Sequence, residues 1–129
     1  MNQEKVILII TKQKQKEKQM NSFIEDWQKL AKEINETAKK KGWWDEERNK
    51  GEMIALMHSE LSEALEALRH GNPPDDKIPK YSGLEAELAD TVIRIMDFGH
   101  AFDLDVGRAI IAKKAFNETR SYKHGGKNF

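Results

Sequence analysis

Residues 51–69 have the sequence GEMIALMHSELSEALEALR, whose pattern of apolar residues is the strongest indication of the fold class. On a helical wheel of about 100° per residue, its apolar side chains fill one broad arc. Such a pattern predicts an amphipathic helix that packs one face against other helices. The residues of the arc are Met53, Ile54, Leu56, Met57, Leu61, Ala64, Leu65, Ala67 and Leu68.

Two acidic residues of this helix do not follow the usual separation of polar and apolar faces. Glu60 falls inside the apolar arc and Glu63 lies at its border, whereas Glu66 lies on the polar side. Burying an unpaired carboxylate is costly, so an ordinary solvated helix would not place Glu60 there. Glu60 and Glu63 are three residues apart and project from one face of a helix. Their positions indicate a functional role.

A second acidic pair, Glu87 and Asp90, has the same spacing. It lies on a narrow polar strip of a predicted helix that is otherwise apolar. Spacing alone carries no weight, because random placement of the 22 acidic residues gives about four such pairs and the chain contains four. The positions of the pairs on their helices instead indicate that Glu60/Glu63 and Glu87/Asp90 are the functional candidates. If the two helices pack together, four carboxylates converge, and such a cluster suits a hard cation such as Mg²⁺.

The remaining apolar pattern predicts an all-α protein, a bundle of four main helices. The second and third helices are expected to be antiparallel and joined by a proline-containing loop. Capping boxes at Ser22/Glu25 and Ser82/Glu85 predict the starts of the first and third helices, and Gly42 and Gly71 predict the ends of the first and second. Asp103 or Asp105 caps the fourth. The predicted ranges are 23–41, 47–70, 83–103 and 105–120.

Residues 1–19 differ from the rest of the chain. A short apolar run, Val6–Ile10, precedes the polar run Lys12–Gln19, which has no periodic apolar face. We expect residues 1–19 to form a flexible or peripheral N-terminal tail and residues 20–129 to form one helical domain. The last residues, 124–129, are predicted to be a flexible end.

Composition narrows the classes of function. The 129 residues are 34% charged and 38% hydrophobic, and the formal net charge is zero, which argues against nucleic acid as a partner. There is no cysteine, so disulfides and thiolate chemistry are excluded. The run Val6–Ile10 is too short to span a membrane or to act as a signal peptide. We therefore expect a cytoplasmic protein with no membrane partner.

Glu60-x-x-Glu63 and Glu87-x-x-Asp90 resemble the ExxE…ExxD signature of the MazG-like nucleotide pyrophosphohydrolases. These belong to an all-α superfamily that also includes dimeric dUTPases and phosphoribosyl-ATP pyrophosphohydrolases. Residues 51–69 look like the first metal-binding helix of that family, and the resemblance covers residues 23–124.

The resemblance implies hydrolysis of a nucleoside triphosphate to the monophosphate and pyrophosphate, in cleaning of the nucleotide pool. Glu60, Glu63, Glu87 and Asp90 would hold one or two Mg²⁺ ions, with Mn²⁺ as a substitute. Water of lowered pKa would attack the α-phosphorus, with Glu63 as the residue that orients or deprotonates it. The family is generally dimeric or tetrameric, so a homodimer or homotetramer is expected.

Five further residues are candidates for binding the substrate. Lys114, Asn117 and Arg120 share one helix face and are similar to the basic segment that closes the site in many family members, although they also suit a solvated helix end. Trp44 would stack on the nucleobase, or instead anchor the preceding turn to the core. Asn49 is a candidate contact to the base or the sugar.

Two other functions stay open at this point. One is a phosphoribosyl-ATP pyrophosphohydrolase, although nothing in the chain points to histidine synthesis. The other is a non-catalytic helical module that binds a nucleotide or a protein. The presence of all four acidic residues argues against a module that has lost catalysis. The sequence does not identify the base.

Overall fold

The computed structural model describes residues 1–122 and has four α-helices in that range. No β-strand occurs among these residues, and a single isolated β-bridge joins Pro74 and Ser82. The predicted all-α class with four helices is therefore confirmed. The helices are α1 (Gln3–Lys40), α2 (Lys50–Arg69), α3 (Gly83–Ala101) and α4 (Val106–Glu118).

The predicted start of the first helix, at about residue 23, is wrong. Helix α1 begins at Gln3, where the side-chain oxygen of Asn2 accepts a hydrogen bond of 2.9 Å from the backbone N–H of Lys5. Ser22 consequently lies inside the helix and does not cap it. The run Lys12–Gln19 consists of lysine, glutamine and glutamate, which favour helix, and neither glycine nor proline interrupts the chain before Gly42.

Residues 3–19 are helical and exposed along their whole length. The exposure includes the apolar run Val6–Ile10. Among residues 1–122, none of the helices combines the length and the apolar character needed to cross a membrane. The predicted division of the chain after residue 19 stays a prediction, and the segment 124–129 lies outside the described residues.

Glycine ends both α1 and α2, as predicted. Gly42 has φ 87° and Gly71 has φ 79°, a left-handed conformation that favours glycine because it has no Cβ. At the first of these ends, the N–H of Trp43 donates to the carbonyl of Ala38 and the N–H of Gly42 donates to that of Lys39, both at 3.1 Å. This pattern is the Schellman motif.

Helices α2 and α3 pack against each other in antiparallel orientation, as predicted. The end of α2 meets the start of α3, where a Cβ on Gly83 would lie only 3.2 Å from the Cβ of Ala67. Further along, Glu60 of α2 is hydrogen-bonded to Arg94 of α3. The contacts thus run in opposite order along the two helices. The connecting loop is held to α3 by Asn72, whose side-chain oxygen accepts from the N–H of Leu84 at 2.9 Å.

The chain divides into two compact units. One unit is Leu30–Leu104, which contains the end of α1, α2, the loop and α3. Its buried apolar residues are Ala31, Met53, Ala64, Ala86 and Met96. The other unit is formed by Met1–Lys29 with the chain from Asp105 onward. In it, α4 approaches α1 closely enough that a Cβ on Gly107 would lie 3.1 Å from the Trp27 ring.

Ser82→Ala is expected to lower the free energy of unfolding by about 1 kcal/mol. The Ser82 hydroxyl accepts from the N–H of Glu85 at 3.2 Å, and the Glu85 carboxylate accepts from the N–H of Ser82 at 3.3 Å. The substitution removes the first of these bonds. Urea denaturation followed by circular dichroism measures the change. Ser62→Ala, at an exposed position inside α2, is the control and should change stability by less than about 0.5 kcal/mol. Equal effects of the two substitutions would contradict the role of the cap.

Candidate functional site

Three of the four predicted acidic ligands come together between α2 and α3. One carboxylate oxygen from each of Glu60, Glu63 and Glu87 lies within 4.8 Å of the others. Glu60 is buried, with 7% of its surface exposed, Glu87 is partly buried and Glu63 is exposed. The position of Glu60 inside the apolar arc of α2 therefore corresponds to actual burial. Asp90 is not within this group of three, but it lines the same cavity.

A short ion pair joins the acidic group to α3. Arg94 Nε donates a hydrogen bond of 2.6 Å to Glu60 Oε1. Asp90 and Arg94 are four residues apart on α3, which is the spacing of a surface ion pair. Arg94 instead bonds to the buried carboxylate on the other helix. This bond compensates the burial of one negative charge, and the charges of Glu63 and Glu87 are left without a bonded cation in the described part of the chain.

The carboxylates shift each other's pKa values. Burial opposes the ionisation of Glu60, but hydrogen bonds from Arg94 and Glu87 outweigh it and lower the pKa of Glu60. Burial, together with the hydrogen bond to Glu60 and the negative charge of Glu63, raises the pKa of Glu87 from 4.5 to about 7. Partial burial and the charge of Glu60 also raise the pKa of Asp90. Negative charge is therefore in excess here, and a bound cation would relieve it.

A hard divalent cation fits these side chains. Carboxylate oxygens are the ligands that Mg²⁺ prefers in proteins. The lining of the surrounding cavity has more acidic residues than basic ones. The acidic residues are Glu33, Glu60, Glu63, Glu87, Asp90 and Asp97, and the basic ones are Arg48, Lys77 and Arg94.

The acidic group opens into a cavity of about 590 Å³ within the unit of residues 30–104. Part of its wall is apolar, formed by Ile34, Ala38, Trp43 and Ile93. The sequence interpretation favoured Trp44 for this pocket, yet the indole that lines it is that of Trp43, which is 61% exposed. The two tryptophans are adjacent in a turn, and no periodic pattern distinguishes their directions.

Trp44 belongs to a polar network at the cavity wall, and two members of this network, Arg48 and Asp97, line the cavity. Its indole N–H donates to both oxygens of Asp97, at 3.1 Å each. Asn35, only 1% exposed, donates to Asp97 Oδ1 at 2.8 Å. The guanidinium of Arg48 lies 3.9 Å from Asp97 Oδ2 and 5.0 Å from the centre of the Trp44 ring. Sequence reasoning missed Asn35, Arg48 and this role of Asp97.

The remaining predicted substrate residues have other local contacts. Asn49 caps α2, and its side-chain oxygen accepts from the N–H of Glu52 at 3.0 Å. Lys114 is paired with Glu118 at 2.7 Å on α4, and the Arg120 guanidinium lies 5.4 Å from the centre of the Phe116 ring. Lys114, Asn117 and Arg120 belong to the other unit of the chain. Their part in closing the site stays a prediction.

Comparison of the chain with protein-family models, curated proteins and solved structures gives no match. Function is therefore inferred from the chemistry of the site itself.

In metal-free protein, Glu87→Gln is expected to raise the free energy of unfolding at pH 8 by on the order of 1 kcal/mol. Glu87 has a pKa of about 7 in the folded state and near 4.5 when unfolded, so the folded state binds more protons between these values. The stability of the wild type therefore falls as pH rises through this window, and glutamine removes the effect.

Urea denaturation in EDTA from pH 5 to pH 8 measures this difference, which should shrink toward pH 5. Glu36→Gln is the control, because Glu36 is exposed on α1 and has no ion pair among residues 1–122, so it should leave the pH dependence unchanged. A Glu87→Gln protein with the wild-type pH dependence would contradict the cost assigned to the ionised group.

Proposed function

We propose that this protein is a Mg²⁺-dependent nucleoside triphosphate pyrophosphohydrolase that releases the monophosphate and pyrophosphate. The observation that carries the proposal is the group of three carboxylates, one of them buried, at the junction of two packed helices. A purely structural ion pair would need one carboxylate for one arginine, and it does not explain why three acidic side chains lie together here. A site for a cation and a polyanion does explain them.

The cavity suits a ligand with two different ends. Its volume of about 590 Å³ lies within the range of small-molecule sites, roughly 300–1,000 Å³. The wall of Ile34, Ala38, Trp43 and Ile93 offers an apolar surface and an aromatic face to a nucleobase. The acidic group would take the cation that accompanies a triphosphate. An apolar end and a cation-binding end match a nucleotide better than they match a protein segment.

The acidic side chains and Arg94 would have different roles, depending on how far each is buried. Glu60, Glu63, Glu87 and Asp90 would hold Mg²⁺, or Mn²⁺ as a substitute. A cation held there would supply positive charge to the phosphates and acidity to a water molecule. Arg94 keeps Glu60 ionised and fixed through its bond of 2.6 Å. Glu63 is the exposed member and is therefore accessible to a water that it would orient or deprotonate.

The partner that we propose is a second copy of this chain, in a homodimer or homotetramer, with the cytoplasm as the location. Leu61, Leu65 and Leu68 follow each other at helical spacing on α2, and each is about half exposed. Leu88 and Val92 form a similar exposed pair on α3. Exposed apolar stripes on both helices that carry the acidic group would be covered by association of subunits.

Glu63→Gln is expected to lower kcat at least about 100-fold, because it removes the proposed base and one ligand oxygen charge. The measurement is chromatography of the products from a panel of NTPs and dNTPs with Mg²⁺. Monophosphate and pyrophosphate are the expected products of the wild type, and the preferred base identifies the substrate. Glu66→Gln, three residues further along α2, is the control and should retain activity. Absence of turnover by the wild type with both Mg²⁺ and Mn²⁺ would overturn the proposal of a general nucleoside triphosphate pyrophosphohydrolase.

Leu65→Asp is expected to shift the protein toward monomer, since a charge would be buried at the proposed contact between subunits. Sedimentation velocity at several concentrations measures the distribution. Ser62→Asp introduces the same charge on the polar side of α2 and should leave the assembly unchanged. A wild-type protein that sediments as a monomer at all concentrations would contradict the proposal.

A further inference from the structure

Arg48 is a cation at the cavity wall that is fixed in place without being used in a hydrogen bond. Its guanidinium lies over the Trp44 ring at 5.0 Å, and its ion pair with Asp97 is 3.9 Å long. That separation is too long for a hydrogen bond. Among residues 1–122, no hydrogen bond from the Arg48 side chain is found, although the side chain is only 18% exposed.

The unused N–H groups of Arg48 are accessible. No buried side-chain nitrogen or oxygen in the described part of the chain lacks a hydrogen-bond partner. Among residues 1–122 the guanidinium nitrogens make no such bond, so none of them is completely buried. Arg48 lines the same cavity as the acidic group. A guanidinium with fixed orientation and free donors is well suited to bind phosphate oxygens, often through two parallel bonds.

The other two cations of the cavity do not have this combination. Arg94 is bonded to Glu60 at 2.6 Å and serves the acidic group. Lys77 is exposed, and its side chain has no hydrogen bond or ion pair within the described residues. Within residues 1–122, Arg48 is the one cation of these three that has an ion pair and a ring contact but no side-chain hydrogen bond. Its position is set by Asp97, whose carboxylate is itself fixed by Asn35 and by the Trp44 indole N–H.

We propose that Arg48 binds the phosphate chain of the substrate, and that Asp97 and Trp44 are positioning residues that hold its guanidinium at the cavity wall. This inference rests on the proposed function, because it assigns the polyanion of that substrate to a named side chain. The acidic group would take the cation, and Arg48 would take phosphate charge that the cation leaves uncompensated.

Two measurements test the inference. The first is steady-state kinetics on the preferred nucleoside triphosphate with Mg²⁺. Arg48→Met is expected to raise KM about 10- to 100-fold, the loss of a charge-assisted hydrogen bond, and to change kcat less than about threefold. Arg48→Lys should fall between Arg48→Met and the wild type. The second is calorimetric binding of inorganic pyrophosphate in excess Mg²⁺, which should weaken by a similar factor. Arg69→Met, an exposed arginine of α2, is the control.

The role of Asp97 is tested by a double-mutant cycle. Asp97→Asn should raise KM in the same direction, and the double variant with Arg48→Met should be no worse than Arg48→Met alone. A purely structural role would lower thermal stability without this coupling in KM. If Asp97→Asn does not fold, Trp44→Phe supplies the test, since it keeps the ring beneath the guanidinium and removes the N–H that fixes Asp97. An unchanged KM in Trp44→Phe would then overturn the positioning role.

The outcomes separate the inference from the proposed function. Hydrolysis by the wild type with an unchanged KM in Arg48→Met overturns the inference and leaves the function intact. Pyrophosphate binding without hydrolysis overturns the function, and the binding constant of Arg48→Met then decides the inference. A wild type that neither hydrolyses nucleotides nor binds pyrophosphate overturns both.

Discussion

The hydrogen-bonded ion pair between Glu60 of α2 and Arg94 of α3 is the interaction on which the site depends. It compensates the negative charge of the Glu60 carboxylate, which is buried between the two helices. It also fixes the register of α2 against α3, because a shift along either helix would leave a buried charge unpaired. That register brings Glu63 and Glu87 close to Glu60. One long-range bond thus supports both the packing of the helices and the geometry of the candidate metal site.

The ends of the helices were largely predictable because local chemistry determines them. Gly42 and Gly71 take the left-handed conformation that stops a helix, and Ser82 with Glu85 forms the capping box that starts α3. The same kind of pattern was misleading at Ser22, where a capping sequence lies inside a helix. A capping pattern marks a start only if the preceding residues leave the helix, and the lysine- and glutamine-rich run before Ser22 has no residue that forces them to do so.

The acidic group was predictable mainly from the position of Glu60. The polar network of Asn35, Trp44, Arg48 and Asp97 was not predictable. Glu60 lies in an apolar arc, so its burial follows from a wheel. Asn35 and Asp97 are 62 residues apart, and their bond of 2.8 Å has no local signal. The directions of Trp43 and Trp44 were likewise undetermined, because the turn that separates them has no period. Contacts of this kind are determined by tertiary packing. A single sequence indicates such a contact only where a polar residue lies on an apolar helix face.

The raised pKa of Glu87 would couple binding of a metal ion at the candidate site to release of a proton. Near neutral pH this carboxyl is about half protonated in the protein without a bound ion, since its pKa is about 7. A divalent ion that takes Glu87 as a ligand must displace that proton. Apparent affinity for the ion would therefore decline in acidic solution, and the heat of binding would vary with the ionisation enthalpy of the buffer. Because the three carboxylates are crowded, protons would compete with a metal ion for the candidate site.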